Sequence, residues 1–290
     1  MSESSILTTY AQYNEDIVLL ALLHDVKNGF YVDVGANYPV VDSVTKLFYD
    51  RGWQGINIEP IPTLYAQLKK LRTRDINLQC GVGDSPSTKV FHEIVHVPGQ
   101  SSFGSKVDKT QEYKEYEVTI RTLASILEEH KVSHIDFLKI DVEGFEYEVV
   151  KGNDWTKYRP EVICIEANHI NHDWRPILTK NRYKLFIADG LNEYYVAQES
   201  WYRTEGFDER VIKLDYHALK QHQQATMLDY KEQVKLLTDA NQDLKLRLQD
   251  LSQQNAQLKG LSLSGRSLPG RVRVALYGLT IDWLKRTKAK

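Results

Sequence analysis

Residues 29–62 read GFYVDVGANYPVVDSVTKLFYDRGWQGINIEPIP. The run from Phe30 to Val34 is apolar but for Asp33, and it stops at Gly35, a turn former. GINIEP, beginning at Gly55, repeats the pattern and stops at Glu59-Pro60. Between the two, Val44 to Arg51 reads as a helix, and Gly52 is placed to end it. Strands with no polar face, separated by a helix, predict a parallel sheet covered on both sides.

The pattern continues in both directions. Upstream, DIVLLALLH (Asp16–His24) predicts a helix. Downstream, Thr63–Arg72 carries Leu64, Leu68 and Leu71 at helical spacing behind a proline. INLQCGVGD reads as a third strand, and KVFHEIVHV and YEVTIRTL as strands around a polar loop. Ser125–His130 reads as a helix, and IDFLKIDVEG and EVICIEANH as two further strands. KLFIADG and NEYYVAQ predict a closing hairpin that turns on Gly190 and adds an antiparallel edge strand.

Ligands of such sheets bind at the carboxyl ends of the strands. Here those ends carry Asp33-Val-Gly35-Ala-Asn37, Glu59-Pro60, Gly83-Asp84, Asp141-Val-Glu143-Gly144 and Glu166-Ala-Asn168-His169. Single acids there are ordinary helix caps. Their repetition along one rim favours a site. An adenosine ribose needs a carboxylate for its two hydroxyls, about 20 residues past the first loop. Glu59 ends the second strand 24 positions after Gly35. No GxGxxG and no GxxxxGK[ST] is present, so a diphosphate ligand is disfavoured and a nucleoside without phosphates fits better. An NAD-dependent oxidoreductase is disfavoured on the same ground.

At these residues the sequence resembles the FkbM family of class I methyltransferases. The resemblance runs through YAQYNED (10–16), the 29–62 block, INLQCGVGD (76–84), GQSSFGS (99–105), TLASIL (122–127) and IDFLKIDVEGFEYEVVKG (135–152). It implies an α/β, Rossmann-like doubly wound, mostly parallel sheet over residues 1–205. It also implies S-adenosylmethionine as methyl donor and a hydroxyl acceptor, often on a sugar. Under it Asp33, Gly35 and Asn37 line the methionine end and Glu59 holds the ribose. Gly83 and Asp84 lie near the adenine, unless they are a plain strand exit. Ser101 and Ser102 either close a loop over the site or solvate it. Gln12 and Asp16 either lid the cofactor or start the first helix. Other class I methyltransferases carry more glycine where this chain has Asn37-Tyr38-Pro39.

Methyl transfer needs an aligned acceptor oxygen and a way to remove its proton. Asp141 and His169 are the expected acceptor-side residues, with His169 as general base and Glu143 positioning; His169 reads equally as a cap. Asp141, Glu166 and Asn168 offer an alternative, oxygen ligation of Mg²⁺. His92, His96, His130 and His134 form no zinc spacing and read as surface or hairpin residues.

The last third reads differently. Leu237, Leu244, Leu251 and Leu258 recur every seventh residue, with Asn241 and Asn255 at the alternate core position. That spacing predicts a parallel dimeric coiled coil over 227–260, reached by a connector at 206–226. A linker (261–270) and a basic amphipathic helix with Trp283 (271–290) follow. The tail holds seven Lys/Arg and one acid. It suits either an anionic membrane surface or a glycosyltransferase partner.

The whole chain of 290 residues has 37 basic and 39 acidic side chains, so nothing global points to nucleic acid. Cys80 and Cys164 form no pair or ligand motif. No signal peptide and no membrane span of roughly 18 apolar residues is evident. These readings predict a dimeric cytoplasmic enzyme, peripheral on the inner face of the membrane if the tail binds lipid. It would methylate a carbohydrate acceptor and so cap a surface polysaccharide of O-antigen type. The alternative is a methyltransferase-like scaffold that recruits a glycosyltransferase.

Overall fold

The computed structural model describes residues 9–103, 112–168 and 170–208. The predicted coiled coil, the linker, the basic helix and His169 lie outside the described residues, as does the connector beyond residue 208.

The chain begins with α1 (Glu15–Leu22), β1 (Phe30–Val34), α2 (Lys46–Asp50), β2 (Gln54–Ile58), α3 (Pro62–Leu71) and β3 (Ile76–Leu78). Then come β4 (Gly81–Val82), β5 (Ser87–Ile94), β6 (Tyr113–Arg121) and α4 (Leu123–Glu129). It continues with β7 (Phe137–Ile140), α5 (Glu146–Lys151), β8 (Val162–Glu166), α6 (Arg175–Lys180), β9 (Tyr183–Ala188) and β10 (Asn192–Ala197).

Seven strands form one sheet in the order β3-β2-β1-β7-β8-β10-β9. The β3, β2, β1, β7 and β8 strands are mutually parallel. The closing hairpin turns at Gly190, whose φ of 99 requires glycine. It inserts β10 antiparallel to β8 and leaves β9 at the edge, antiparallel to β10. The α/β, doubly wound expectation therefore describes this domain.

Period-2 alternation explains why these strands have no polar face. Val32, Val34, Ile56, Leu138, Ile140 and Ile163 join the core against α4, α5 and α6. Tyr31, Phe137, Val162, Cys164 and Tyr194 join the opposite core against α1 and α2. Both cysteines are buried and free. No helix among the described residues is long and apolar enough to cross a membrane.

One expectation is corrected. INLQCGVGD is not a single strand. It leaves the large sheet after Leu78, and Gly81–Val82 starts a second sheet, order β4-β6-β5. That sheet packs Phe91, Val118 and Ile120 against Ile61 and Leu64 of the α3 region. It thereby stands over the carboxyl ends of β1 and β2. Helices α5 and α6 were not singled out in the sequence; each is only six residues long.

Candidate active site

Two connected hollows open at the carboxyl ends of the strands. An inner recess of about 60 Å³ is walled by Gly35, Glu59, Cys80, Gly81, Val82 and Phe91. It meets an outer cleft of about 1080 Å³ at Asn37, Pro98, Gly99, Asp141 and Glu143, which line both. The outer cleft adds Gln12, Tyr13, Tyr38, Glu166, Asn168 and Asn171. Among the described residues, no Lys or Arg lines either hollow.

Glu59 sits at the base of the recess and is 3 % exposed. Its Oε2 accepts from the backbone N–H of Asn37 and its Oε1 from that of Ile61, each at 2.8 Å. These bonds fix the carboxylate plane and leave lone pairs on both oxygens. Burial pushes its pKa up to about 7 despite those donors.

The first loop is pinned from three sides. Gly35 takes φ +79, and a Cβ there would stand 1.9 Å from the carbonyl oxygen of Asp141. Its missing side chain is thus occupied by the β7 loop. Asn37 adopts φ 53, a left-handed conformation that Asn tolerates. Its Oδ1 is buried and accepts no hydrogen bond. Arg72, almost wholly buried, donates to the Pro39 carbonyl at 2.9 Å and to Ser43 Oγ at 2.8 Å.

Below the loop, Lys139 donates to the Gly35 carbonyl at 2.7 Å. Its Nζ also lies 3.2 Å from Asp141 and 3.5 Å from Asp33. Burial works against the ammonium, but Asp141 and Asp33 outweigh it and raise its pKa.

The β7 loop turns on two successive left-handed residues, Glu143 (φ 53) and Gly144 (φ 94). Glu146 holds the turn, accepting from the N–H of Val142 at 3.2 Å and of Gly144 at 3.0 Å. Carboxylate oxygens of Asp141, Glu143 and Glu166 thereby gather within 4.8 Å of one another. Burial first, and then the Asp141 charge, push Glu143 up to about 8 and hold Glu166 above the ordinary carboxylate range.

A model of the methyltransferase FkbM domain matches residues 33–185. The chain belongs to the FkbM methyltransferase family. Methyltransferase sdnD of Sordaria araneosa is 28% identical over 172 residues, which span 47% of this chain and 66% of that protein. The match thus covers just under two thirds of that relative. Solved structures similar to the FkbM domain include a precorrin-6y C5,15-methyltransferase from Geobacter metallireducens. It has a TM-score of 0.35 and 14% identity, over 65% of this chain and 79% of that one. Another is a TehB-like SAM-dependent methyltransferase from Corynebacterium glutamicum, with a TM-score of 0.34 and 10% identity, over 64% and 86%.

Within the FkbM domain, Gly35, Asn37, Glu59, Asp141 and Glu143 converge on the recess, and Ser102, Glu166 and Asn168 on the outer cleft. Ser101 lines the recess while its Oγ accepts from the N–H of Ile94 at 2.9 Å. The expectations for Asp33, Gly83 and Asp84 are corrected. Asp33 does not face the methionine end; it is 1% exposed and spent on Thr45 and Lys139. Gly83 and Asp84 do not line either hollow. A Cβ on Gly83 would meet Ile120 at 2.8 Å, and Asp84 pairs with Lys151 at 2.8 Å. The chain has already switched sheets before them, so Cys80, Gly81 and Val82 stand where they were expected. In the N-terminal block only Gln12 and Tyr13 reach the cleft. Asp16 is buried and accepts from Thr9 Oγ1 and the Tyr10 N–H, both at 2.7 Å.

The sequence reading missed Lys139 and Arg72. A lone Lys in the apolar run FLKI, in register with the only acid of FYVDV, was the available signal for the first.

Proposed function

We propose that this FkbM domain transfers a methyl group from S-adenosylmethionine to a hydroxyl of a carbohydrate. The observation that carries the reading is Glu59, held by two backbone N–H groups with both oxygens at the wall of a recess free of Lys and Arg. Two ribose hydroxyls donating to it would stabilise its charged form.

The remaining residues suit the same donor. The unpartnered Oδ1 of Asn37 and the carboxylates of Asp141 and Glu143 offer acceptors to a cation where recess and cleft meet. At about 60 Å³ the recess has room for a few waters only, so seating an adenosine displaces the Pro98–Phe103 wall. Bound there, S-adenosylmethionine supplies an activated methyl group on a sulfonium.

The outer cleft receives the acceptor. Tyr13 and Tyr38 offer ring faces, and Gln12, Asn168 and Asn171 offer amides, a lining that suits a sugar. Asp141 and His169 serve the acceptor hydroxyl, with Glu143 positioning it. The heptads at 227–260 would pair two copies, and the basic segment 271–290 would hold them at an anionic membrane or a glycosyltransferase. That arrangement fits capping of a surface polysaccharide at its terminal sugar, which ends chain growth.

The test is calorimetry with S-adenosylhomocysteine, joined to mass spectrometry of surface glycans from cells with and without the protein. Binding that Glu59→Ala abolishes, and a methyl group missing from the glycans without the protein, are the expected results. Binding that ignores Glu59→Ala sinks the donor assignment, and unchanged glycans sink the acceptor.

A further inference from the structure

We infer that the outer cleft receives an amphipathic acceptor: a sugar joined to an apolar alkyl, acyl or aryl group, with that group resting on Tyr13, Val97 and Ile170. The inference narrows the carbohydrate reading above and rests on it. Eight large apolar side chains are exposed among the described residues, and five of them (Leu71, Val90, Tyr113, Leu185 and Tyr202) line neither hollow. Such single exposures are ordinary. The other three, Tyr13 (42%), Val97 (43%) and Ile170 (38%), all line the outer cleft. They arrive from the N-terminal block, the β5–β6 connection and the β8–α6 loop, so no local sequence pattern brings them together. Apolar side chains gathered at one cleft suit the apolar surface of a ligand.

Tied backbone presents all three. The N–H of Tyr13 donates to Glu15 at 2.8 Å. The carbonyl of Val97 accepts from the N–H of Gln100 at 3.0 Å, and Ser101 and Ser102 bind the same segment to Ile94 and His92 of β5. Beside Ile170, Asn171 Nδ2 donates to the Gly144 carbonyl at 2.9 Å. The three side chains are thus held toward water instead of collapsing into a core. A ligand that covers them gains their burial without first ordering a loop.

Size and charge agree. The cleft, at about 1080 Å³, lies just above the roughly 300–1,000 Å³ of pockets that bury a drug-sized ligand, so a single sugar ring leaves much of it unfilled. No Lys or Arg among the described residues lines it, so nothing there suits an anionic lipid headgroup. An uncharged apolar substituent fits the remaining space, beside the amides of Gln12, Asn168 and Asn171 that suit the sugar.

The experiment compares octyl and methyl β-glucoside by calorimetry on the full chain, with and without S-adenosylhomocysteine, keeping the octyl compound below micelle formation. The octyl glucoside is expected to bind at least about ten-fold more tightly, which burying about two of its added methylenes supplies. The double variant Val97→Ser/Ile170→Ser should bring the two glucosides within about two-fold of each other. Leu185→Ser, exposed away from the cleft, should keep the full preference. Circular dichroism checks that the variants fold, and Val97→Ser alone, with at least about a three-fold loss of preference, takes the place of the double variant if that one does not. The inference is overturned if the two glucosides bind alike, if the double variant keeps the preference, or if Leu185→Ser loses it as well. Phosphatidylcholine vesicles that bind the unaltered chain and not the double variant, with the glucosides alike, would give the apolar rim to a lipid bilayer and equally overturn it. Nucleoside binding without an octyl preference overturns the amphipathic acceptor and spares the donor assignment; the reverse outcome does the opposite.

Discussion

The ammonium of Lys139 stands 3.5 Å from the carboxylate of Asp33, its in-register neighbour on the adjacent parallel strand. Both are buried, and the same ammonium holds the Gly35 carbonyl from below. This pair is the floor of the first loop. Removing one partner strands the other charge in the core. Lys139→Met is expected to cost about 3–5 kcal/mol of stability, measured by urea unfolding. The double variant Lys139→Met/Asp33→Asn should recover part of the loss. Equal losses in the single and double variants would show that the pair is not coupled.

Glu59 sets a second expectation. Each hydrogen bond to a charged group contributes about 1.5–3 kcal/mol, so losing two weakens S-adenosylhomocysteine at least about a hundred-fold in Glu59→Ala. The acid must be ionised to accept from both ribose hydroxyls, and burial places its pKa at about 7 in the free protein. Donor affinity should therefore rise with pH through about 7 and level off above it. Calorimetry at several pH values checks the direction. A flat profile contradicts the role given to this carboxylate.

Stability has its own pH dependence. Burial pushes Glu15 up to about 7, and Asp16 to about 6. An acid whose pKa is higher folded than unfolded binds its proton more tightly in the folded state. Its contribution is full below the unfolded value, near 4.5, and is lost as pH rises through the folded value. The melting temperature should fall between about pH 4.5 and 7. Glu15→Gln should flatten that slope, whatever it does to the absolute value. Differential scanning fluorimetry across the range decides this.

Truncation near residue 260 tests the proposed role of the basic segment. Methylation should persist while membrane association is lost. Unchanged fractionation of the truncated protein would refute a membrane anchor there.

Much of this fold is legible because its strands are buried on both faces. FYVDV, GINI, FLKI and VICIE have no polar side to confuse a helix with a strand. Their ends therefore line up as a rim that can be read directly, and Glu59, Asp141 and Glu143 follow from it. What stays hidden depends on three-dimensional pairing. A switch of sheet between Leu78 and Gly81 leaves no mark in the sequence, so the recess wall falls at Cys80–Val82 and not at Gly83-Asp84. Asp33 looks like a ligand in sequence because nothing local announces that Lys139, more than a hundred residues away, will neutralise it. Short helices such as α6, opened by Arg175-Pro176, are made by tertiary packing more than by their own periodicity.

The carbonyl of Asp141 fills the space where Gly35 lacks a side chain. The β1 loop and the β7 loop are therefore mechanically interlocked, and neither shifts without dragging the other. Under the proposed function, a substitution at position 35 or 141 is expected to disturb donor and acceptor placement together. Gln12 and Tyr13 line the outer cleft but not the inner recess, so under the proposed function acceptor choice is expected to vary there first.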